Sequence, residues 1–183
     1  YLEWESAFEY FEPLVNIARG SDPQHRPITI VTHYALDSET EKISALTDVI
    51  SLNRYFTEDI SIDGLEKTAE TLTSEFAEWH EKFPDKPIFM SEYGLDSISG
   101  MKAIKEEIFT EEYQIQFLDT YHKTFDQHDF LIGEHIWNFA SDKNILSIQD
   151  NAKDIFSREG IPKVTALELK KRWEKIPNYG YKH

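Results

Sequence analysis

The residues of this chain best suited to chemistry sit just past the ends of short, β-branched or apolar runs. Pro87-Ile88-Phe89-Met90-Ser91-Glu92 reads as a strand ending on a carboxylate, with Gly94 close behind. A carboxylate is costly to bury there unless it is paired or functional. As a nucleophile or general acid it suits glycoside cleavage, which needs two carboxyl groups flanking one bond; a strand-end Glu facing water is the plain alternative. A second run, Asp48 to Tyr55, closes on Asn53-Arg54-Tyr55. If the two runs are neighbouring strands of a parallel sheet, the Tyr55 phenol reaches Glu92 and holds it ionised and aimed. A tyrosine at the core rim is the competing reading.

A third run, Leu131 to Phe139, carries Trp137 and Asn138 near its end. Trp faces line sugar pockets, although core packing is the commoner fate of a single Trp. In the irregular stretch that follows, Asn151-Ala152-Lys153 combines an amide with an ammonium of three donors, a pair able to grip a carboxylate. A solvated loop is the default for any such Lys. Glu134 and His135 are adjacent on the third run, so one of them faces inward, as a satisfied core polar group.

These positions need a scaffold of alternating helices and strands, and the hydrophobic pattern supplies one. Residues 5–19 place Phe8, Phe11, Leu14, Val15 and Ala18 at helical spacing, with Ser6 as cap and Gly20 as stop. Pro27–Thr32 reads as a strand, Ser38–Leu46 as a short helix, and Asp48–Tyr55 as the next strand. Residues 64–83 form an amphipathic helix through Leu65, Leu72, Phe76, Trp79 and Phe83. The strand 87–92, a helix over 111–127, the strand 131–139 and a closing helix over 163–174 complete the series. This is the α/β pattern of parallel βα units. The choice lies between a doubly wound sheet and part of a TIM (β/α)8 barrel. No Gly-rich phosphate loop follows a strand, and the polar groups gather at strand ends, as in a barrel. A whole barrel takes about 250 residues and eight strands; four strands imply roughly half of one.

Composition narrows the function classes. The 183 residues contain no Cys, which removes disulfides, thiolate nucleophiles and Cys-based metal sites. The seven His make no metal signature, so neither cofactor nor metal is expected. His122, His128 and His135 read as ordinary, and Glu106-Glu107 and Glu111-Glu112 as solvated surface. A net charge of −15 repels phosphate backbones, so no nucleic-acid partner is expected. No apolar run approaches the length of a membrane helix, and residues 1–5 are unlike a signal peptide. The absence of Cys suits a reducing compartment, so a cytoplasmic location is expected. An anionic substrate would require a local cation on so acidic a protein.

At this point the motifs resemble a known family. Pro87 through Asp96, including Ser91-Glu92-Tyr93-Gly94, is similar to the nucleophile strand of β-glucuronidases of glycoside hydrolase family 2. Gly133-Glu134-His135-Ile136-Trp137-Asn138-Phe139-Ala140 resembles the family's last barrel strand. Asn151-Ala152-Lys153 resembles the Asn-x-Lys signature of glucuronide specificity. Leu52-Asn53-Arg54-Tyr55, Glu111 to His122 and Lys171-Arg172-Trp173 fit as well, so the resemblance runs along nearly the whole chain in order. It implies a retaining glycosidase: Glu92 the nucleophile, Tyr55 its hydrogen-bond partner, Trp137 lining the sugar site, and Asn151 with Lys153 holding the glucuronate carboxylate. The four strands would be barrel strands five to eight, making residues 1–183 the C-terminal half of a family 2 catalytic barrel.

The departures are as informative. The family's general acid/base is a Glu in an Asn-Glu-Pro motif, which these residues lack. The family pattern is also altered at Phe56-Thr57-Glu58-Asp59 and shortened between Ala140 and Leu146. The expectation is a glucuronide hydrolase in its parent and a nearly inactive fragment alone, since acid–base help is worth about 10²–10⁴-fold. A galacturonidase or galactosidase of the same family, and a non-catalytic half-barrel module, are the alternatives. Half a barrel leaves two open sheet edges, so pairing with a second copy through those edges is expected too.

Overall fold

A computed structural model describes residues 4–33, 36–56, 62–101, 108–140 and 152–176. Asn151, Glu106-Glu107, Thr57-Glu58-Asp59 and positions 141–146 lie outside the described residues. The elements run α1 (Trp4–Ser21), β1 (Thr29–Thr32), a 3₁₀ turn (Ile43–Leu46), β2 (Val49–Asn53), α2 (Ile62–Lys82), β3 (Ile88–Tyr93), α3 (Glu111–Phe125), β4 (Leu131–Ile136) and α4 (Val164–Trp173). All strands are parallel and lie in chain order, β1-β2-β3-β4. The half-barrel expectation agrees with this topology. Among the described residues no helix is long and apolar enough to cross a membrane.

The sheet's two faces divide the sequence by its alternation. Ile50, Leu52, Ile88 and Met90 point toward α2 and α3 and join Leu72, Phe76, Trp79, Phe117, Tyr121 and Phe125 in one core. The other face carries Ser51, Phe89 and Gly133 in register across three strands. There Thr29 and Ser51 share a 2.7 Å hydroxyl bond, and Phe89 meets His135 edge-on at 4.7 Å. Gly133 has a steric reason: a Cβ would stand 2.7 Å from the Phe89 ring.

Three sequence expectations need correction. α1 runs through both Ser6 and Gly20, so neither caps nor stops it. It packs on the 3₁₀ turn, burying Ala7 and Val15 while Leu14 and Ile17 face solvent. The short helix expected over 38–46 shrinks to the 3₁₀ turn. Side chains there take the backbone donors instead, with Asp37 accepting from the Thr40 N–H and Glu41 from those of Ile43 and Ser44. Glu111 is no solvated residue. It is buried in the first turn of α3 and accepts the Gly100 N–H at 2.7 Å and the Val164 N–H at 2.6 Å, capping α4 from another helix.

Candidate active site

Strict alternation would send Glu92 into the helix layer with Met90. The register prevents this. Asn53 pairs with Glu92, where Leu52 had paired with Met90, and a matching shift lies between Met90 and Tyr93 on the β4 side. This bulge inserts one residue, so Met90 and Tyr93 both enter the core while Ser91 and Glu92 stay at the strand end. Ser91 Oγ donates to Asn53 Oδ1 at 2.8 Å. Glu92 is left half-buried, aimed at the neighbouring strand end.

There the Tyr55 hydroxyl donates to Glu92 Oε2 at 2.7 Å. Burial, then the carboxylate itself, pushes the Tyr55 phenol far above its ordinary range, so it remains a donor. The Arg54 N–H donates to the Glu92 carbonyl at 2.9 Å, tying the two strand ends together. Lys153 Nζ stands over the Tyr55 ring, 5.8 Å from its centroid, and bonds Asp96 Oδ2 at 2.6 Å. Thus Glu92, Tyr55 and Lys153, far apart in sequence, share one corner of the sheet's C-terminal end.

Trp137 follows β4 and is 39% exposed. Its N–H donates to the Tyr93 carbonyl at 2.8 Å. Its own carbonyl lies where a Cβ on Gly94 would be, at 2.2 Å, so only glycine allows this approach of the two strand ends. The peptide after Trp137 is cis. Among the described residues no group of His, Asp and Glu is arranged to hold a metal ion.

Glu134 and His135 divide as alternation requires. His135 lies on the open face, and Glu134 lies among the helices. Arg172 grips Glu134 through two bonds of 2.8 Å, and Trp173 Nε1 adds a third at 3.0 Å. Burial opposes the Glu134 charge, but these donors outweigh it and hold the carboxyl below its ordinary value. His122 Nε2 lies 2.8 Å from the Tyr93 hydroxyl and 3.7 Å from Glu134. This network packs directly behind β3, through Tyr93.

His122 gives a pH prediction. Burial lowers its pKa to about 4, against the pull of Glu134, Asp119 and Asp126 and with the help of Arg172. The unfolded chain binds that proton near pH 6.5, so acid favours unfolding. Stability is full above about 6.5 and falls by about 3 kcal/mol as pH drops to 4. His128 is also lowered by burial and adds in the same direction. Urea denaturation at pH 7.5 and 4 will show the loss, and His122→Gln will remove most of it. An equal loss in that variant would assign the effect to other groups.

Residues 3–178 match the family model "Glycosyl hydrolases family 2, TIM barrel domain". The chain belongs to glycosyl hydrolase family 2. It is 40% identical over 176 residues to a β-glucuronidase of Streptococcus agalactiae, covering 94% of this chain and 29% of that protein. A Paenibacillus borealis β-glucuronidase is 39% identical over 178 residues, covering 96% and 29%. Among solved structures, a Ruminococcus gnavus β-glucuronidase in complex with D-glucuronic acid superposes with a TM-score of 0.83 at 31% identity, covering 92% of this chain and 30% of that one. This family 2 chain therefore spans under a third of the length of the curated relatives it matches.

Sequence reasoning missed three contributors to the corner. Asp96 holds Lys153 from four residues beyond Glu92. Gln114 donates to the Leu95 carbonyl at 2.8 Å from inside α3. Lys163, fully buried, donates to the Ser97 and Ala152 carbonyls at 2.8 and 3.1 Å. Burial lowers its pKa, the nearby Asp154 opposing. The signal available for Asp96 and Gln114 was their place in the family-like stretches 87–96 and 111–122; for Lys163 there was none.

Proposed function

We propose that this chain carries the nucleophile half of a retaining β-glucuronidase site. Glu92 attacks the anomeric carbon, forming a glycosyl-enzyme as the aglycone leaves, and water then releases glucuronate. Tyr55 orients Glu92, Trp137 walls the sugar, and Lys153, with Asn151 beside it in sequence, receives the C6 carboxylate. The observation that carries this reading is the shared corner: a carboxylate bonded by a phenol, and an ammonium over that phenol's ring. The cation answers the charge problem, since a uronate otherwise meets a protein of net charge −15. The relatives' names and the glucuronic acid complex of the Ruminococcus gnavus enzyme support the same substrate.

The acid/base carboxyl is supplied by a segment of the parent polypeptide outside these residues, so the chain alone is nearly inactive. The test is hydrolysis of p-nitrophenyl β-D-glucuronide, galacturonide and galactoside by the full-length parent, with the first-formed anomer read by NMR. Glucuronide preference with β-glucuronate released first is expected. Preference for the galactoside, or release of the α-anomer, would overturn the reading.

We also propose that the open edges pair. Val31 on β1 is 49% exposed and Ile132 on β4 is 60% exposed, each on a strand hydrogen-bonded on one side among the described residues. Light scattering of this chain is expected to give a mass of two or more copies. A monomer at high concentration would count against it.

A further inference from the structure

We propose that Asp96 is the positioning residue that sets uronate specificity at this site, an inference that rests on the proposed role of Lys153. The carboxylate has two jobs at once. Oδ2 accepts from Lys153 Nζ at 2.6 Å, while Oδ1 accepts the Ala152 N–H at 2.7 Å. One rigid group therefore fixes both the ammonium and the backbone from which it springs. The Ser97 N–H adds a bond to the Ala152 carbonyl at 3.0 Å, and Lys163 joins the same two residues from beneath. The loop after β3 and the segment carrying Lys153 are thus a single unit.

A lysine needs such a unit. Its stem has four rotatable bonds, and ordering it costs up to about 2 kcal/mol of side-chain entropy. Lys153 is already mostly buried, at 19% side-chain exposure. Asp96 takes one of its three N–H donors and leaves two for an incoming carboxylate. It also holds the ammonium away from the other anion in reach. Lys153 lies over the Tyr55 ring, and the Tyr55 hydroxyl is 2.7 Å from Glu92. Without that hold the ammonium is spread over its rotamers and is no longer presented to a C6 carboxylate, a loss that a substrate with a neutral C6 does not feel. Asp96 thereby keeps cation and nucleophile on separate duties.

The experiment compares wild type, Asp96→Asn and Asp96→Glu of the full-length parent on p-nitrophenyl β-D-glucuronide and on the corresponding glucoside, whose C6 is neutral. Loss of a charge-assisted bond predicts at least about a tenfold rise in KM for the glucuronide in Asp96→Asn, with kcat changed less than threefold. The glucoside kcat/KM is expected to stay within about twofold, and Asp96→Glu to recover part of the glucuronide KM. A parallel fall on both substrates would make Asp96 a structural residue only and overturn the proposal. So would an unchanged glucuronide KM. A wild type without glucuronide preference would instead overturn the proposed function itself, and the two failures are told apart by the wild-type control.

Discussion

Glu92→Gln in the full-length parent is expected to lower glucuronide turnover by at least about 10⁴-fold, the scale seen when a covalent nucleophile is removed. The amide is nearly isosteric, and Tyr55 can still donate to its oxygen, so the fold should be intact. What is lost is the electron pair that forms the bond to the anomeric carbon. Tyr55→Phe separates orientation from chemistry. It deletes one hydrogen bond to a charged group, worth about 1.5–3 kcal/mol, and should cost about ten- to a hundredfold. The order of the two effects carries the assignment. Trapping with a 2-fluoro glucuronide, followed by peptide mass spectrometry, should place the sugar on Glu92. Turnover indifferent to Glu92→Gln, or a sugar found on another carboxylate, would remove Glu92 from the nucleophile role.

The reach of sequence reasoning here follows from which interactions are local. Strand and helix order was legible because Leu72, Phe76 and Trp79 recur at helical spacing and Ile50, Leu52, Ile88 and Met90 at strand spacing. The Tyr55–Glu92 contact was legible because neighbouring parallel strands bring their C-terminal ends side by side. The bulge that aims Glu92 was not. Alternation alone sends residue 92 to the helices, and no local residue preference announces an inserted position. Glu111 shows the same limit. Its place in an acidic stretch at a helix start suggests solvent, yet its partners are the backbones of Gly100 and Val164. α1 fails in the opposite sense. Of its stripe, Val15 is buried, but Leu14 stays exposed, as does Ile17 outside it. A periodic pattern names a buried face only if the covering element is present.

Arg54 carries the largest expected effect on stability. Its side chain is 1% exposed, and every donor is engaged. Nε and Nη2 pair with Glu75 Oε1 on α2, Nη1 donates to the Asn53 and His33 carbonyls at 2.8 and 3.4 Å, and Nη2 to the Leu36 carbonyl at 2.8 Å. Arg54 therefore binds the end of β2 to α2 and to the segment following β1. Arg54→Met should cost about 3–5 kcal/mol in urea denaturation, because it strands the mostly buried Glu75 carboxylate and takes the donors from three carbonyls, two of them on partly buried residues. Trp79 Nε1, at 3.2 Å from Glu75 Oε1, is a neutral donor and cannot replace the charge. Arg54→Lys should recover less than half, since a compact ammonium cannot span Glu75 and the Leu36 carbonyl together. The decisive comparison is Arg54→Met with Glu75→Met. If the single losses come from an abandoned charge, the double variant will be more stable than Arg54→Met alone. If the losses simply add, the two side chains are energetically uncoupled, and the buried-charge account of this corner is wrong. Tyr55 is the next residue, so the same unfastening should also loosen the phenol that holds Glu92.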